Sequence, residues 1–221
     1  MKNGGVPFEN VHGVNVWDYR ARRPDEAAVF NRAMAAMTDE IADAVLSACD
    51  FSRYVSLVDV GGGEGAFIAR ILAAHPALKG ILFDQPAVVA HAHDRLDEAG
   101  VSDRCQVVGG NFFEAVPEAG DAYLLKWILH DWDDQDAIAI LRSCRRAIRP
   151  GGTLLVVEHL IGPNNAGREG KFMDLNMMVI TGGVERTREE FEAVFDAAGF
   201  QLMHVIGTAA AVSVIEAVTR C

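Results

Sequence analysis

The chain has 221 residues, of which 50% are hydrophobic and 23% are charged. It is long enough and apolar enough to form one α/β domain with its own core, without disulfides or metals. The formal net charge of −11 disfavours a phosphate backbone or an anionic bilayer, so we predict neither a nucleic-acid partner nor a membrane partner.

Strands and helices alternate through the first half of the chain. Apolar residues recur every three or four positions over 24–48, which predicts an amphipathic helix before the sheet. The glycine-rich segment 61–65 separates the first β-rich run from a second helical pattern, and a third helix ends at Gly100. The predicted strands of this half are 54–60, 80–84 and 105–108.

The second half continues the alternation and then ends in two strands. Residues 133–148 predict a helix, and Thr187 with Glu190 forms a capping-box pattern for another helix that ends before Gly199. Segment 162–170 is expected to be a mobile loop. The last two β-rich runs have no crossover helix between them, so they must pair antiparallel. The predicted strands of this half are 122–127, 152–158, 200–206 and 212–218.

This order of elements predicts a doubly wound, Rossmann-like α/β fold. The expected sheet has seven strands, is mostly parallel and ends in a C-terminal antiparallel hairpin. Ligands of such sheets bind at the carboxyl ends of the strands, where the strand order reverses. We expect residues 1–50 to form a helical lead-in and residues 51–221 to form the ligand-binding domain.

The cysteines and clustered acids do not predict a metal site. The four cysteines are far apart and lack the spacing of zinc ligands, which predicts reduced thiols in the cytoplasm. The acids between 131 and 136 lie at the start of a helix, where capping and the helix dipole favour them. No apolar run is long enough for a signal peptide or a membrane-spanning helix. The cysteines are Cys49, Cys105, Cys144 and Cys221.

The glycine turn after the first strand predicts a nucleotide-like cofactor. Gly61 and Gly63 let the backbone approach a ligand and turn into a helix whose N-terminal amides face it. Asp84, at the end of the second strand, can accept hydrogen bonds from ribose hydroxyls. The same spacing fits nicotinamide dinucleotides, but Asp59 near the turn would repel their pyrophosphate and suits the cationic S-adenosylmethionine better. Spacing alone leaves both cofactors open.

Six segments together resemble one known family. They are 58–63 (VDVGGG), 83–86 (FDQP), 109–113 (GGNFF), 126–132 (KWILHDW), 157–158 (VE) and 182–187 (GGVERT). Over nearly its whole length the chain resembles the catalytic domain of plant-type and bacterial small-molecule O-methyltransferases, such as caffeic acid O-methyltransferase. The resemblance implies methylation of a hydroxyl on a small, aromatic acceptor.

The resemblance also implies S-adenosylmethionine as the cofactor and S-adenosylhomocysteine as its product. Asn111 and Phe112 are expected to flank the adenine. The family usually has aspartate at position 111, and an amide there can still accept through its oxygen but carries no charge, so we expect weaker binding. The predicted cofactor-binding residues are Asp59, Gly61, Gly63, Asp84, Gln85, Asn111, Phe112 and Lys126.

His130 matches the position of the family's general base, and Glu158 and Glu185 match the two acids that orient it. A phenol of pKa about 10 and a histidine of pKa about 6.5 leave a deficit of roughly 3.5 units for proton transfer. A carboxylate beside the imidazole narrows this deficit because it stabilises the protonated ring.

The acceptor pocket and the oligomeric state are less well defined by the sequence. Phe30, Met34, Met177 and Met178 are candidates to contact an aromatic acceptor, although their helical spacing is also that of core residues. The family's N-terminal dimerisation domain is expected to be absent here, which leaves the homodimer of the family an open prediction.

Two other functions stay open at this point. The first is an enzyme that binds S-adenosylmethionine but hydroxylates or decarboxylates its substrate, and the histidine with its two acids argues against this function. The second is a non-catalytic partner that completes another subunit. An exposed apolar lead-in helix would favour the second.

Overall fold

The structure is a computed structural model that describes residues 4–118, 120–163 and 167–220. Its strands are β1 (Ser56–Val60), β2 (Lys79–Asp84), β3 (Cys105–Gly109), β4 (Ala122–Lys126), β5 (Thr153–Glu158), β6 (Phe200–Gly207) and β7 (Ser213–Thr219). They form one seven-stranded sheet with the order β3-β2-β1-β4-β5-β7-β6. Strands β1 to β5 pair in parallel, whereas β7 pairs antiparallel with β5 and β6. The predicted fold class is therefore confirmed.

The strand order reverses at β1, which has β2 on one side and β4 on the other. Parallel strands end at the same edge of a sheet, so this reversal opens a crevice at their carboxyl ends. Asp84, Lys126 and Glu158 are the last residues of β2, β4 and β5. The fold thereby brings three of the predicted site residues to one edge.

Helices cover both faces of the sheet in the described part of the chain. They are α1 (Pro7–His12), α2 (Val16–Ala21), α3 (Pro24–Ala48), α4 (Ala66–Ala74), α5 (Pro86–Val89), α6 (Ala92–Glu98), α7 (Asp134–Ala147), α8 (Arg168–Ile180) and α9 (Arg188–Ala198). Val45 of α3 and Phe67 of α4 pack with Leu57 on one face, and Ile140 of α7 packs with Val58 on the other. The side chains of adjacent residues of β1 therefore point to opposite faces of the sheet. Among the helices of the described ranges, none is long and apolar enough to cross a membrane.

The helix boundaries agree with the strongest local signals. Helix α3 spans the predicted 24–48. The hydroxyl of Thr187 accepts the amide hydrogen of Glu190, whose carboxylate accepts that of Thr187, so the capping box at the start of α9 is present. Gly199 ends α9 in a left-handed conformation with φ of 85°.

Helix α8 differs from the sequence-based expectation of a mobile loop over 162–170. Residues 168–170 form its first turn, and residues 164–166 of the expected loop lie outside the described residues. The expectation was wrong for 168–170 because the helix carries apolar residues on its exposed side, including Phe172 and Leu175, and so lacks an amphipathic pattern. Helices α1 and α2 lie within the helical lead-in expected over 1–50, but the sequence did not delimit them individually because each has only six residues.

Candidate active site

The glycine turn lies between β1 and α4, at the carboxyl edge of the sheet. Gly61, Gly63 and Gly65 have φ of 73°, 62° and 82°, the left-handed conformation that favours glycine. The amides of Gly61 and Gly62 donate to the carbonyl oxygen of Phe83 at 2.7 and 3.2 Å, which ties the turn to β2. A Cβ on Gly63 would meet no atom within 4 Å, so the turn opens onto free space there.

Asp84, at the end of β2, closes one side of this turn. Its Oδ2 accepts the amide hydrogen of Gly63 at 2.8 Å, and its Oδ1 accepts that of Gln85 at 2.6 Å. Burial raises the pKa of Asp84, while the two hydrogen bonds stabilise the carboxylate and lower it. Each oxygen keeps a lone pair for a ligand. Gln85 itself is exposed at the N-cap of α5.

Asp59 lies beneath the glycine turn. Its side chain is buried, and its Oδ2 lies 2.6 Å from the position that a Cβ on Gly62 would occupy. Burial raises the pKa of Asp59 to about 7, with Lys126 lowering it and Asp84 raising it. This oxygen has no hydrogen-bond partner among the described residues. Direct contact of Asp59 with a cofactor stays a prediction.

Lys126, at the end of β4, lies close to several buried acids. Burial lowers the pKa of its ammonium to about 8, whereas the charges of Asp59, Glu158 and Asp131 raise it. Its Nζ is 4.3 Å from the centroid of the Trp127 ring. The ammonium partly neutralises carboxylates that would otherwise repel one another.

Asn111 and Phe112 follow β3 and approach the glycine turn. The Oδ1 of Asn111 accepts the amide hydrogen two residues further on at 3.0 Å, and its Nδ2 donates to Glu114 at 3.2 Å. The ring of Phe112 packs edge-on against Trp132 with 6.0 Å between centroids, and it lies 3.8 Å from the position of a Cβ on Gly61. An open cleft of about 510 Å³ runs from Asn111 along β2 and β3.

The chain bends sharply after β4 into the turn that carries His130. Trp127 has φ of 55°, which is uncommon for a residue other than glycine, and Leu129–Asp131 form a 3₁₀ turn. The Oε1 of Glu158 accepts the amide hydrogens of residues 128–130 at 3.0, 3.0 and 3.4 Å. One buried carboxylate oxygen therefore anchors three consecutive amides to β5.

His130, Glu158 and Glu185 meet in a buried cluster. The Nδ1 of His130 is 2.7 Å from Oε1 of Glu185 and 3.3 Å from Oε2 of Glu158. Burial by itself would lower the pKa of His130, but the charge of Glu158, the hydrogen bond with Glu185 and the charge of Asp131 outweigh burial and raise it to about 10. Because Nδ1 faces Glu185, Nε2 is the nitrogen left for a reactant.

The same three side chains could by composition hold a metal, because their donor atoms lie within 4.8 Å of one another. Two features favour a hydrogen-bonded cluster instead. The 2.7 Å separation of Nδ1 and the Glu185 oxygen is that of a charge-assisted hydrogen bond. The other oxygen of Glu158 already accepts three amide hydrogens. The arrangement is that of a buried histidine with one carboxylate hydrogen-bonded to its Nδ1 and a second carboxylate beside it.

Asp131 and Arg186 also lie at this cluster, although the sequence predicts a site role for neither. The Oδ1 of Asp131 is 3.9 Å from Nε2 of His130, and burial raises the pKa of Asp131 to about 6. Arg186 is only 1% exposed. The available signal was their position inside segments 126–132 and 182–187. Their burial was not predictable because Asp and Arg are usually exposed.

The four candidates for acceptor contact do not share one environment. Met177 is buried, whereas Met178 is 37% exposed, because adjacent helical residues point about 100° apart. Phe30 and Met34 are half-buried on α3, and the guanidinium carbon of Arg20 lies 3.4 Å from the Phe30 ring centroid. Contact of these four residues with an acceptor stays a prediction.

The chain is similar to known O-methyltransferases. The family model for the O-methyltransferase domain matches residues 1–201. A phenazine O-methyltransferase of Lysobacter antibioticus is 46% identical over 217 residues, which are 98% of this chain and 64% of that protein. A mitomycin biosynthesis 6-O-methyltransferase of Streptomyces lavendulae is 38% identical over 202 residues, which are 91% of this chain and 58% of that protein. The chain therefore spans less than two thirds of the length of both relatives.

A solved structure shows the same architecture. An O-methyltransferase from neocarzinostatin biosynthesis, in complex with S-adenosylmethionine and 2-hydroxy-5-methyl naphthoic acid, matches with a TM-score of 0.91 at 32% identity. The match covers 99% of this chain and 65% of that one. The mostly parallel seven-stranded sheet with its antiparallel C-terminal pair is the architecture of the methyltransferase structures that the chain matches. The chain belongs to the O-methyltransferase domain family.

Proposed function

We propose that this chain is the catalytic domain of an S-adenosylmethionine-dependent O-methyltransferase that acts on a hydroxyl of a small aromatic molecule. The proposal rests on the 2.7 Å contact between Nδ1 of His130 and Oε1 of Glu185 in a buried cluster at the carboxyl edge of the sheet. The acceptor class is supported by the phenazine O-methyltransferase and by the naphthoic acid in the neocarzinostatin-biosynthesis enzyme.

The residues of the glycine turn fit this cofactor. Gly63 faces open space, and the Asp84 carboxylate beside it can accept hydrogen bonds from ribose hydroxyls. Asp59, with its buried unpartnered Oδ2 in the described part of the chain, suits a cation and disfavours a pyrophosphate. Bound S-adenosylmethionine supplies a methyl group on a positively charged sulfur and leaves as S-adenosylhomocysteine.

His130 takes the proton of the acceptor hydroxyl at Nε2. Its Nδ1–H donates to Glu185, which holds the ring in one tautomer and stabilises the imidazolium. The carboxylates raise the pKa of His130 to about 10, which matches a phenol of pKa about 10. They thereby remove the deficit of roughly 3.5 units that an ordinary histidine has.

The rate of methyl transfer should rise with pH, because only neutral His130 accepts a proton and its raised pKa keeps it protonated at neutral pH. Glu185→Gln removes a charge that stabilises the imidazolium. The inflection of kcat/KM should then move to lower pH, and the plateau should fall because the base is weaker. The measurement is a pH series of methyl transfer to a panel of hydroxyphenazines and hydroxynaphthoic acids. The control is Glu189→Gln, at an exposed glutamate of α9. If the inflection of kcat/KM did not move in Glu185→Gln, Glu185 would not be the carboxylate that stabilises the imidazolium of His130.

Asp84→Ala should weaken binding of S-adenosylmethionine and S-adenosylhomocysteine at least about tenfold, because hydrogen bonds to a charged group contribute about 1.5–3 kcal/mol each. Titration calorimetry measures this, with Asp94→Ala at an exposed aspartate of α6 as the control. Binding of NAD in place of the adenosyl ligands would overturn the cofactor assignment. Adenosyl binding without methylation of any panel member would favour a non-methylating enzyme or a non-catalytic partner.

We also propose a reaction partner and a cellular compartment for this activity. The partner is a small-molecule acceptor, and the buried free thiols of Cys49, Cys105 and Cys144 support a reducing compartment such as the cytoplasm. Cys221 lies outside the described residues. The division into a lead-in (1–50) and a cofactor-binding domain (51–221) stays a prediction, as does the homodimer typical of the family.

A further inference from the structure

Two segments far apart in the chain lie in direct contact at the proposed base. The first is the turn 129–132, which carries His130, and the second is segment 183–186, which carries Glu185. The amide of Val184 donates to the carbonyl oxygen of His130 at 2.9 Å. A Cβ on Gly183 would overlap the same oxygen, so the two backbones pack with no room for a side chain between them.

Arg186 joins these segments through buried hydrogen bonds. Its Nη1 donates to the carbonyl oxygen of Leu129 at 2.8 Å, and its Nη2 donates to that of Trp132 at 2.9 Å. These carbonyls lie on either side of His130 in the turn. In addition, Nε donates to Oδ1 of Asp134 at 3.0 Å, and Nη1 donates to the carbonyl oxygen of Val184 at 3.4 Å. One planar guanidinium therefore holds both ends of the turn that carries the base.

The pattern of burial shows which contacts matter for geometry. The side chain of Arg186 is 1% exposed, whereas that of Asp134 is 66% exposed, so solvent screens the ion pair between them. The carbonyl contacts are shielded from water and are directional. A lysine ammonium would keep the charge, but it is a point charge on a flexible stem. It cannot reproduce the forked pair of hydrogen bonds that the planar guanidinium donates to the two carbonyls.

The geometry points to Arg186 as a positioning residue for His130. By holding the carbonyls of Leu129 and Trp132, Arg186 keeps Nδ1 of His130 within 2.7 Å of Glu185 and so maintains the raised pKa of the base. This inference rests on the proposed function only where it concerns the rate. Its effect on the protonation of His130 does not depend on which acceptor is methylated.

Arg186→Lys tests this inference because it preserves the charge and removes the fork. The pKa of His130, followed by NMR titration with labelled histidine and assigned against His130→Ala, should fall toward its ordinary value of 6.5. The pH inflection of kcat/KM should move with it. At high pH, where His130 is neutral in both proteins, we expect kcat to fall about 10- to 100-fold, as for small misplacements of catalytic groups. Calorimetric affinity for S-adenosylhomocysteine should stay unchanged.

Two controls separate positioning from general loss of stability. Thr187→Ala removes the N-cap of α9 next to Arg186, where the Thr187 hydroxyl bonds to Glu190, and Asp134→Asn removes the exposed ion pair. Both should leave the pKa of His130 and kcat unchanged. An unchanged His130 pKa in Arg186→Lys, or an equal fall in Thr187→Ala, would overturn the inference.

A second variant keeps the test decisive if Arg186→Lys folds poorly. In Arg186→Ala, added guanidinium should restore part of the rate and of the His130 pKa, whereas ammonium at equal ionic strength should not. Equal rescue by both ions would overturn the inference. Failure of the proposed function would look different, since no acceptor of the panel would then be methylated while the titration of His130 still responded to Arg186→Lys.

Discussion

Replacing His130 with alanine is expected to lower the rate of methyl transfer by ~10²–10⁴-fold, the usual contribution of a general base. Affinity for S-adenosylmethionine should change little, because the glycine turn and Asp84 lie on other strand ends. The physical reason is that the acceptor hydroxyl then has no group to take its proton, while the cofactor residues stay in place. Single-turnover methyl transfer and calorimetry measure the two quantities separately.

The matched control for His130→Ala is His93→Ala, at an exposed histidine of α6. It should leave both rate and affinity unchanged. If His130→Ala retained the rate of the unmodified chain, His130 would not be the base and the proposed mechanism would fail. Loss of cofactor affinity together with the rate would instead identify His130 as a structural residue.

Glu158→Ala is expected to destabilise the fold by about 3–5 kcal/mol, the usual cost of removing one partner from a buried charged pair. The amides of residues 128–130 lose their shared acceptor, and each unsatisfied buried amide costs about 1–3 kcal/mol. Since whole domains have about 5–15 kcal/mol of stability, the variant should be close to unfolding. Denaturant unfolding measures the difference in the free energy of unfolding between the variant and the unmodified chain, provided that both show the same dependence on denaturant concentration.

Glu158→Gln separates the two roles of this side chain. Its amide oxygen can still accept the three backbone hydrogens, so the variant should keep most of the stability that alanine loses. It carries no charge, so the pKa of His130 should fall, and the methylation rate at the high-pH plateau should fall because the base is weaker. If Glu158→Ala were as stable as Glu158→Gln, the three amides would not depend on this carboxylate.

The elements predicted correctly are those whose cause is local. The capping box of Thr187 and Glu190 and the left-handed Gly199 satisfy helix ends within a few residues, so they are readable in sequence. Apolar periodicity located α3 and the strands of the sheet because each is buried along a regular face. Helix α8 escaped prediction since its exposed apolar residues, such as Phe172 and Val179, obscure that periodicity.

The candidate site was predictable in part. The spacing of Gly61, Gly63 and Asp84 indicated a cofactor turn, and the segments around His130 and Glu185 supplied the family resemblance. Arg186 lay inside one of those segments, yet nothing in its neighbourhood indicated that its guanidinium would be buried. Likewise, the sequence made both Met177 and Met178 candidates for contact with the acceptor, but the turn of helix α8 buries Met177 and exposes Met178.

The order of strands and helices, the glycine turn and the family are readable from the amino-acid sequence, because they follow from short-range patterns and motif identity. Long-range packing brings the carboxylates of Glu158 and Glu185 to the ring of His130, which lies 28 and 55 positions away from them along the chain. Their meeting depends on the pairing of β4 with β5 and on the packing of segment 183–186 against the turn. The raised pKa of His130 follows from that packing, since burial and neighbouring charge exist only in the folded state.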